Sequence, residues 1–273
     1  MINEIAEKFG ATSGRDFEIP LDVNFDPTYD DDEPDLDQSI HPYRSLIGSL
    51  LYVVGWTRPD CLASLNTLCT AMARPQMKHY KAGLRLARYL YLTRELGLSY
   101  TANINERILN KLSAMVDASW NVKSREGWLI KLNGASVAHS SRLINTVCLS
   151  SAQAETSAAV SCCKVVLWIR MLLWELDYEQ PGSTKVEEDS KATIPASSGD
   201  GQRRSGDGQR RASRYYQMRT AWLRQLVRTG IVHFSYVPTA DQTADALSKN
   251  VAVGPFKKAQ TKIFGPQPSK LPM

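Results

Sequence analysis

The hydrophobic period of the chain changes after Gly97, and that change limits the folds open to it. From Tyr43 to Leu96 apolar residues recur at helical spacing. Beyond it Leu112–Trp120, Gly127–Asn133 and Ala135–Ser140 are short β-prone runs, with a fourth at Asn145–Leu149. Three or four such runs in immediate succession predict an antiparallel meander. Ser151–Leu176, rich in Ala, Leu and Trp, reads as helix and is followed by a short strand at Thr184–Asp189. A helix over Ser213–Arg228, a strand over Ile231–Val237 and a last helix over Ala240–Asn250 complete the ordered chain. The order β-β-β-α-β-α-β-α predicts a mixed α/β layer.

The helical part divides at Pro42, Pro59 and Pro75 into about three helices. Leu46, Ile47, Leu50, Leu51 and Val54 form one face of the first, and Lys81, Arg85, Arg88 and Arg94 give the third a basic outer side. Charge is uneven along the chain: Met1–Ile40 holds 12 acids against 2 bases, while the remainder carries 31 bases against 16 acids. An acidic arm and linker over 1–40, Asp- and Pro-rich from Asp26 to Gln38, therefore precedes a basic body of the kind that attracts polyanions. An excess of solvated surface lysine and arginine is the alternative. The heptapeptide SGDGQRR at Ser198–Arg204 repeats unchanged at Ser205–Arg211, which predicts a duplicated flexible loop over 198–211. From Gln202 to Arg228 eight arginines face one acid, Asp207, a composition suited to gripping phosphates.

Five cysteines without metal-ligand spacing predict buried thiols in a reducing compartment. The apolar runs Leu46–Trp56 and Val165–Trp174 are short for a bilayer, the second is broken by Arg170, and no basic n-region precedes an apolar segment at Met1. The expectation is an intracellular chain, cytoplasmic or nuclear, with no membrane partner. No phosphate loop, metalloprotease helix or nucleophile elbow occurs, and the four histidines lack ligand spacing.

What remains is carboxylates. Asp117 lies in VDASW at the polar end of an apolar strand; Glu155 lies near the start of the Ser151 helix, where the helix dipole explains it equally well. Asp189 closes the strand KVEED, and Asp241 and Asp245 are four apart, on one face of the expected last helix. Singly each is an ordinary turn or cap residue. As a set they match a cluster that holds two divalent cations for phosphoryl displacement, because hard Mg²⁺ prefers oxygen and several acids tolerate proximity only when cations neutralise them.

Six ordered blocks carry a family resemblance: YRSLIGSLLYVVGWTRPD (Tyr43–Asp60), RYLYLTRELGLSY (Arg88–Tyr100), VDASW (Val116–Trp120), NTVCLSSAQAE (Asn145–Glu155), VLWIRMLLWELD (Val166–Asp177) and YVPTADQTADALSK (Tyr236–Lys249). In this order they resemble the C-terminal part of copia-type LTR retrotransposon Pol polyproteins. The resemblance implies a helical reverse-transcriptase remnant over 41–100, a ribonuclease H domain over 110–252 and a tail over 253–273. It implies the ribonuclease H fold, a five-stranded mixed sheet flanked by helices. The implied activity is hydrolysis of the RNA strand of an RNA/DNA hybrid with Mg²⁺, or Mn²⁺, leaving a 3′-hydroxyl and a 5′-phosphate. Asp117, Glu155, Asp189 and Asp245 match the family's metal-binding acids, and Arg214, Arg219 and Arg224 are the expected contacts to the hybrid backbone. A separate reverse-transcriptase palm and other retroelement proteins are the implied partners.

The chain departs from the family in several places. It has no Y-x-D-D, so it is not a complete polymerase; Gln153 replaces a Glu; Glu188 and Ser190 flank Asp189 where Cys and Asn are usual; and RYYQMRTA (Arg214–Ala221) lacks the family's two histidines. Two readings besides the nuclease stay open: a catalytically decayed ribonuclease H-fold module that binds nucleic acid or a partner, and a helical interaction protein using Tyr43–Leu96.

Overall fold

The computed structural model describes residues 1–101, 110–190 and 214–267, apart from the side chains of Arg214 and Tyr215. The duplicated SGDGQRR loop lies outside the described residues. Three prolines end or start helices because proline lacks the N–H an interior turn needs. Accordingly α2 spans Tyr43–Thr57, a 3-10 turn Pro59–Cys61 leads into α3 over Leu62–Cys69, and α4 spans Met77–Leu92. Leu46, Ile47, Leu50 and Val54 are fully buried as the period requires, whereas Leu51 is turned outward and Val53 takes an inner place.

The acidic arm is not a separate linker. It begins with α1, Ile2–Lys8, and then runs across α4, burying Ile19 and Leu21 in the helical core. Charge explains the path: Arg85 pairs with Asp22, Arg88 with Asp16 at 2.7 Å and Arg74 with Asp35 at 2.9 Å. Gln76 fastens Asp26–Gln38 by donating to the carbonyls of Asp30 and Glu33 at 2.6 and 2.9 Å.

The second unit is a five-stranded mixed sheet flanked by helices, the ribonuclease H-like fold that the resemblance implied. Its strands β1 (Leu112–Ser119), β2 (Arg125–Leu132), β3 (Ala135–Leu143), β4 (Thr184–Glu188) and β5 (Val232–Tyr236) lie in the order β3-β2-β1-β4-β5. The meander is antiparallel, and β4 and β5 run parallel to β1. Strand alternation sends Leu112, Ala114 and Val116 to one face, against α5 (Ser151–Glu175) and α6 (Arg214–Arg228). Met115 and Leu129 meet the opposite layer, formed by α7 (Asp245–Ser248) and α8 (Val253–Phe264).

Three sequence expectations fail here for identifiable reasons. Asn145–Leu149 is not a strand: the chain leaves the sheet at Leu143, so its alternation finds no ladder and Val147 and Leu149 face solvent. The helix expected over Ala240–Asn250 is broken into a 3-10 turn, Thr239–Asp241, and the single turn α7. Gln242 between them is extended because its side chain is committed to the sheet, donating to Val116 O at 3.0 Å. The residues expected as tail contain α8, whose Phe256, Ala259, Ile263 and Phe264 are buried at helical spacing.

Arg58 and Asp60 form a buried ion pair between these units, with Nε–Oδ1 and Nη2–Oδ2 bonds of 3.0 and 2.8 Å. Gln260 of α8 donates to Asp60 Oδ2 at 3.0 Å, and Arg58 donates to Thr93 O at the end of α4. Removing one partner leaves a buried charge unmatched, a loss of about 3–5 kcal/mol. Asp60→Ala is therefore expected to lower the urea-unfolding free energy by about that amount, and an unchanged midpoint and slope would contradict this role.

Candidate active site

Asp117 comes from β1, Glu155 from α5 and Asp189 from the residue after β4. Each offers a carboxylate oxygen, and the three oxygens lie within 4.8 Å of one another. The first two side chains are buried and the third is half-buried. Glu155 does not cap its helix. Ser150 does so, accepting from Gln153 N, while the Gln153 side chain reaches back past the cap to accept from Leu149 N at 2.9 Å. Glu155 is thereby left to the cluster.

Asp245 stands outside that trio. It is joined to it by Lys249, whose Nζ lies 2.9 Å from Asp245 and 3.9 Å from Asp117. Asp241, expected to share a face with Asp245, instead pairs with Lys258 of α8. Ser248 donates to Asp117 and Thr239 donates to Asp189 at 2.8 Å, so a hydroxyl orients each carboxylate. Gly127, opposite Asp117 in β2, makes this approach feasible: a Cβ there would lie 2.5 Å from Ser248 N and 2.7 Å from Leu247 C.

The structure adds two residues to the expected set. Glu188 is fully buried beside Glu155, and each of the two has an Oε2 without a hydrogen-bond partner. The signal for Glu188 was alternation: with Thr184 and Val186 inward, the fifth strand position must also point in. Lys249 was marked by its i,i+4 spacing from Asp245.

Burial, then repulsion from Asp245, pushes Asp117 up to about 7 against the pull of Lys249 and Ser248. Burial, then Glu188, pushes Glu155 up to about 10. Burial likewise holds Glu188 well above the carboxylate range. Burial works against the Lys249 charge, but Asp117 and Asp245 outweigh it and raise its pKa. An all-oxygen donor set with an unpartnered buried oxygen fits a hard divalent cation.

Of the expected phosphate contacts, Arg219 donates to Ser157 Oγ at 2.6 Å and so ties α6 to α5 close to Glu155. Arg224 is half-buried on the same helix and has polar or electrostatic contacts of its own. The Arg214 side chain lies outside the described residues. Trp120, 55% exposed three residues after Asp117, donates from its indole to Cys148 O at 2.9 Å.

The fold and carboxylate cluster define a ribonuclease H-like domain joined to a helical unit. No protein-family model matches the chain. It is 27% identical over 218 residues to the retrovirus-related Pol polyprotein from transposon TNT 1-94 of Nicotiana tabacum, covering 79% of this chain and 16% of that one. It is 26% identical over 235 residues to the transposon Ty1-JR2 Gag-Pol polyprotein of Saccharomyces cerevisiae, covering 85% of this chain and 13% of the polyprotein. A third relative, secreted RxLR effector protein 161 of Plasmopara viticola, is 35% identical over 133 residues, 47% of this chain and 91% of the effector. Among solved structures, RNase H1 from Halobacterium salinarum covers 50% of this chain and 94% of its own at 18% identity, with a TM-score of 0.37. Its homologues thus include retrotransposon Pol polyproteins, and the chain spans less than a fifth of the length of those it matches.

Two outcomes test the site. The native state holds protons on Asp117 up to about pH 7 and on Glu155 up to about pH 10, whereas the unfolded chain releases them near 3.8 and 4.5. Between those limits the folded state binds more protons, so stability contributed by these groups falls as pH rises. Thermal unfolding in chelator is expected to show that fall, and added divalent cation to offset it; a metal-free rise over the same window would refute the assignment. Gly127→Ala is expected to cost about 1–3 kcal/mol by displacing α7. Denaturant unfolding measures that cost, and wild-type stability would show that α7 gives way freely.

Proposed function

We propose that the chain is a copia-type ribonuclease H that hydrolyses the RNA strand of an RNA/DNA hybrid. The observation that carries this reading is the convergence of Asp117, Glu155 and Asp189 oxygens within 4.8 Å. These three, with Asp245, would hold Mg²⁺, or Mn²⁺. Bound there, the metal supplies Lewis-acid activation of water and stabilises the leaving oxygen. The chain's own groups set the stage. Ser248 and Thr239 orient Asp117 and Asp189, and Gln242 fixes the backbone that carries Asp245. Lys249 balances the acids before metal enters. Arg214, Arg219 and Arg224 are the expected contacts to the hybrid backbone in this reading, with specificity from groove shape and 2′-hydroxyls. The setting is intracellular, with a separate palm or other retroelement proteins as partners.

Glu188 beside Glu155 and Lys249 between Asp117 and Asp245 favour a second reading, a fold that binds nucleic acid without cleaving it. An end-labelled hybrid incubated with the chain and Mg²⁺, beside single-stranded RNA, separates the two. Hybrid-only cleavage that Asp117→Asn abolishes is the expected result. Undiminished cleavage by that variant defeats the proposed site, and salt-sensitive hybrid binding without cleavage supports the second reading.

A further inference from the structure

Helix α5 is packed differently along its length. Its first half buries Ala154, Ala158, Ala159, Cys162 and Cys163 against the sheet, while in its second half Trp168, Met171 and Trp174 are 61%, 62% and 64% exposed. With Leu172, Leu176 and Tyr178 also exposed, the patch is contiguous. Its three aromatic rings alone offer on the order of 400 Å² to solvent, the size at which an apolar patch marks an interaction site.

The stripe Lys164, Trp168, Met171, Glu175 is spaced four, three, four, so all four side chains share one seam. Reversing its direction about the point between Ile169 and Arg170 exchanges Lys164 with Glu175, Trp168 with Met171, and Leu167 with Leu172. A surface with that property is complementary to itself under a two-fold axis. Lys164 and Glu175 are both exposed, and about 16 Å of helix separates them, so they cannot pair within one chain. Beside the seam, Leu167, Met171, Trp174 and Ile231 line a groove of about 250 Å³. Arg170 does not interrupt the patch, because it turns to the carbonyls of Gly182 and Gln180 at 2.8 and 3.0 Å.

We infer that this face binds a second copy of the chain, with the two α5 helices antiparallel. Each Trp168 then packs on the other copy's Met171, and a Lys164–Glu175 ion pair closes each end of the seam. A lipid surface fits less well: α5 is long and apolar enough to cross a membrane, but 56% of that window is buried, and its exposed end is acidic through Glu175, Asp177 and Glu179. Interfacial helices carry a basic polar face instead.

Sedimentation velocity of the full chain at about 10–100 µM, the range of a modest interface, tests this. The expected result is a dimer that Met171→Asp converts to monomer without loss of helical circular dichroism. Lys164→Glu and Glu175→Lys alone each place like charges at both ends of the seam and should weaken dimerisation roughly ten-fold. Combined, they restore opposite charges and should restore the dimer. A monomeric wild type overturns the inference, as does a dimer indifferent to Met171→Asp, a double variant no tighter than the singles, or a monomer that floats with phosphatidylcholine vesicles.

Discussion

The Arg58–Asp60 pair is the interaction on which the arrangement of the molecule depends. Burial alone would pull the Arg58 pKa down, and the adjacent carboxylate more than reverses that. The guanidinium also lies 5.5 Å from the Tyr89 ring and 5.6 Å from the Phe264 ring, so both charges are enclosed by groups that match them. Through Gln260 the pair holds α8. Along α8, Lys258 reaches the Asp241 carboxylate and Lys262 reaches its carbonyl, steadying the turn that precedes α7. Asn250, just past α7, accepts from Ser64 of α3 at 2.8 Å. The residues that bring Asp245 and Lys249 over Asp117 are therefore fastened at both ends to the helical unit.

That dependence gives the helices 43–92 a role beyond their own core. A four-residue helix such as α7 has too few internal hydrogen bonds to stand alone. It is placed by outside contacts: Gln242 to Val116 below it, Gly127 leaving room beneath it, and α8 beside it. The free energy that forces Asp117, Glu155, Glu188 and Asp189 together is supplied by this packing, since the acids themselves oppose it. The raised pKa values of Asp117, Glu155 and Glu188 record that opposition.

The features legible in the sequence were those with a repeating local signal. Period-two runs mark β1, β2 and β3, prolines mark the ends of α2 to α4, and motif resemblance picks Asp117, Glu155 and Asp189. Features decided by a partner far along the chain were not legible. Gln242 cannot continue a helix because Val116, 126 residues away, takes its amide. The α8 stripe has period 3.6, but its GP start and basic composition mask it; what makes it a helix is the apolar face of Met115 and Leu129 waiting for it. Glu188 lay in plain view in KVEED, yet three successive charged residues read as a solvated turn until strand alternation assigns the middle one inward.

The charge map shows the same limit from another side. Read linearly, the chain has an acidic arm and a basic body, and the basic body suggests a polyanion partner. Folded, the arm's own acids occupy the basic side of α4 and the turn before it: Asp16 and Asp22 take Arg88 and Arg85 on the helix, Asp35 takes Arg74 ahead of it, and Glu18 takes Lys257 of α8. A polyanion approaching the helical unit must compete with carboxylates already in place, whose hold weakens with salt as its own would. At the β1–β4 end of the sheet the described residues give a different pattern. There the carboxylates are bordered by Lys249 and, on α5 and α6, by Ser157 and Arg219, so positive groups stand beside the negative ones. These cations are themselves engaged, Lys249 by Asp117 and Asp245 and Arg219 by Ser157, and they stand next to the only cluster of acids among the described residues that is close enough to hold a metal ion.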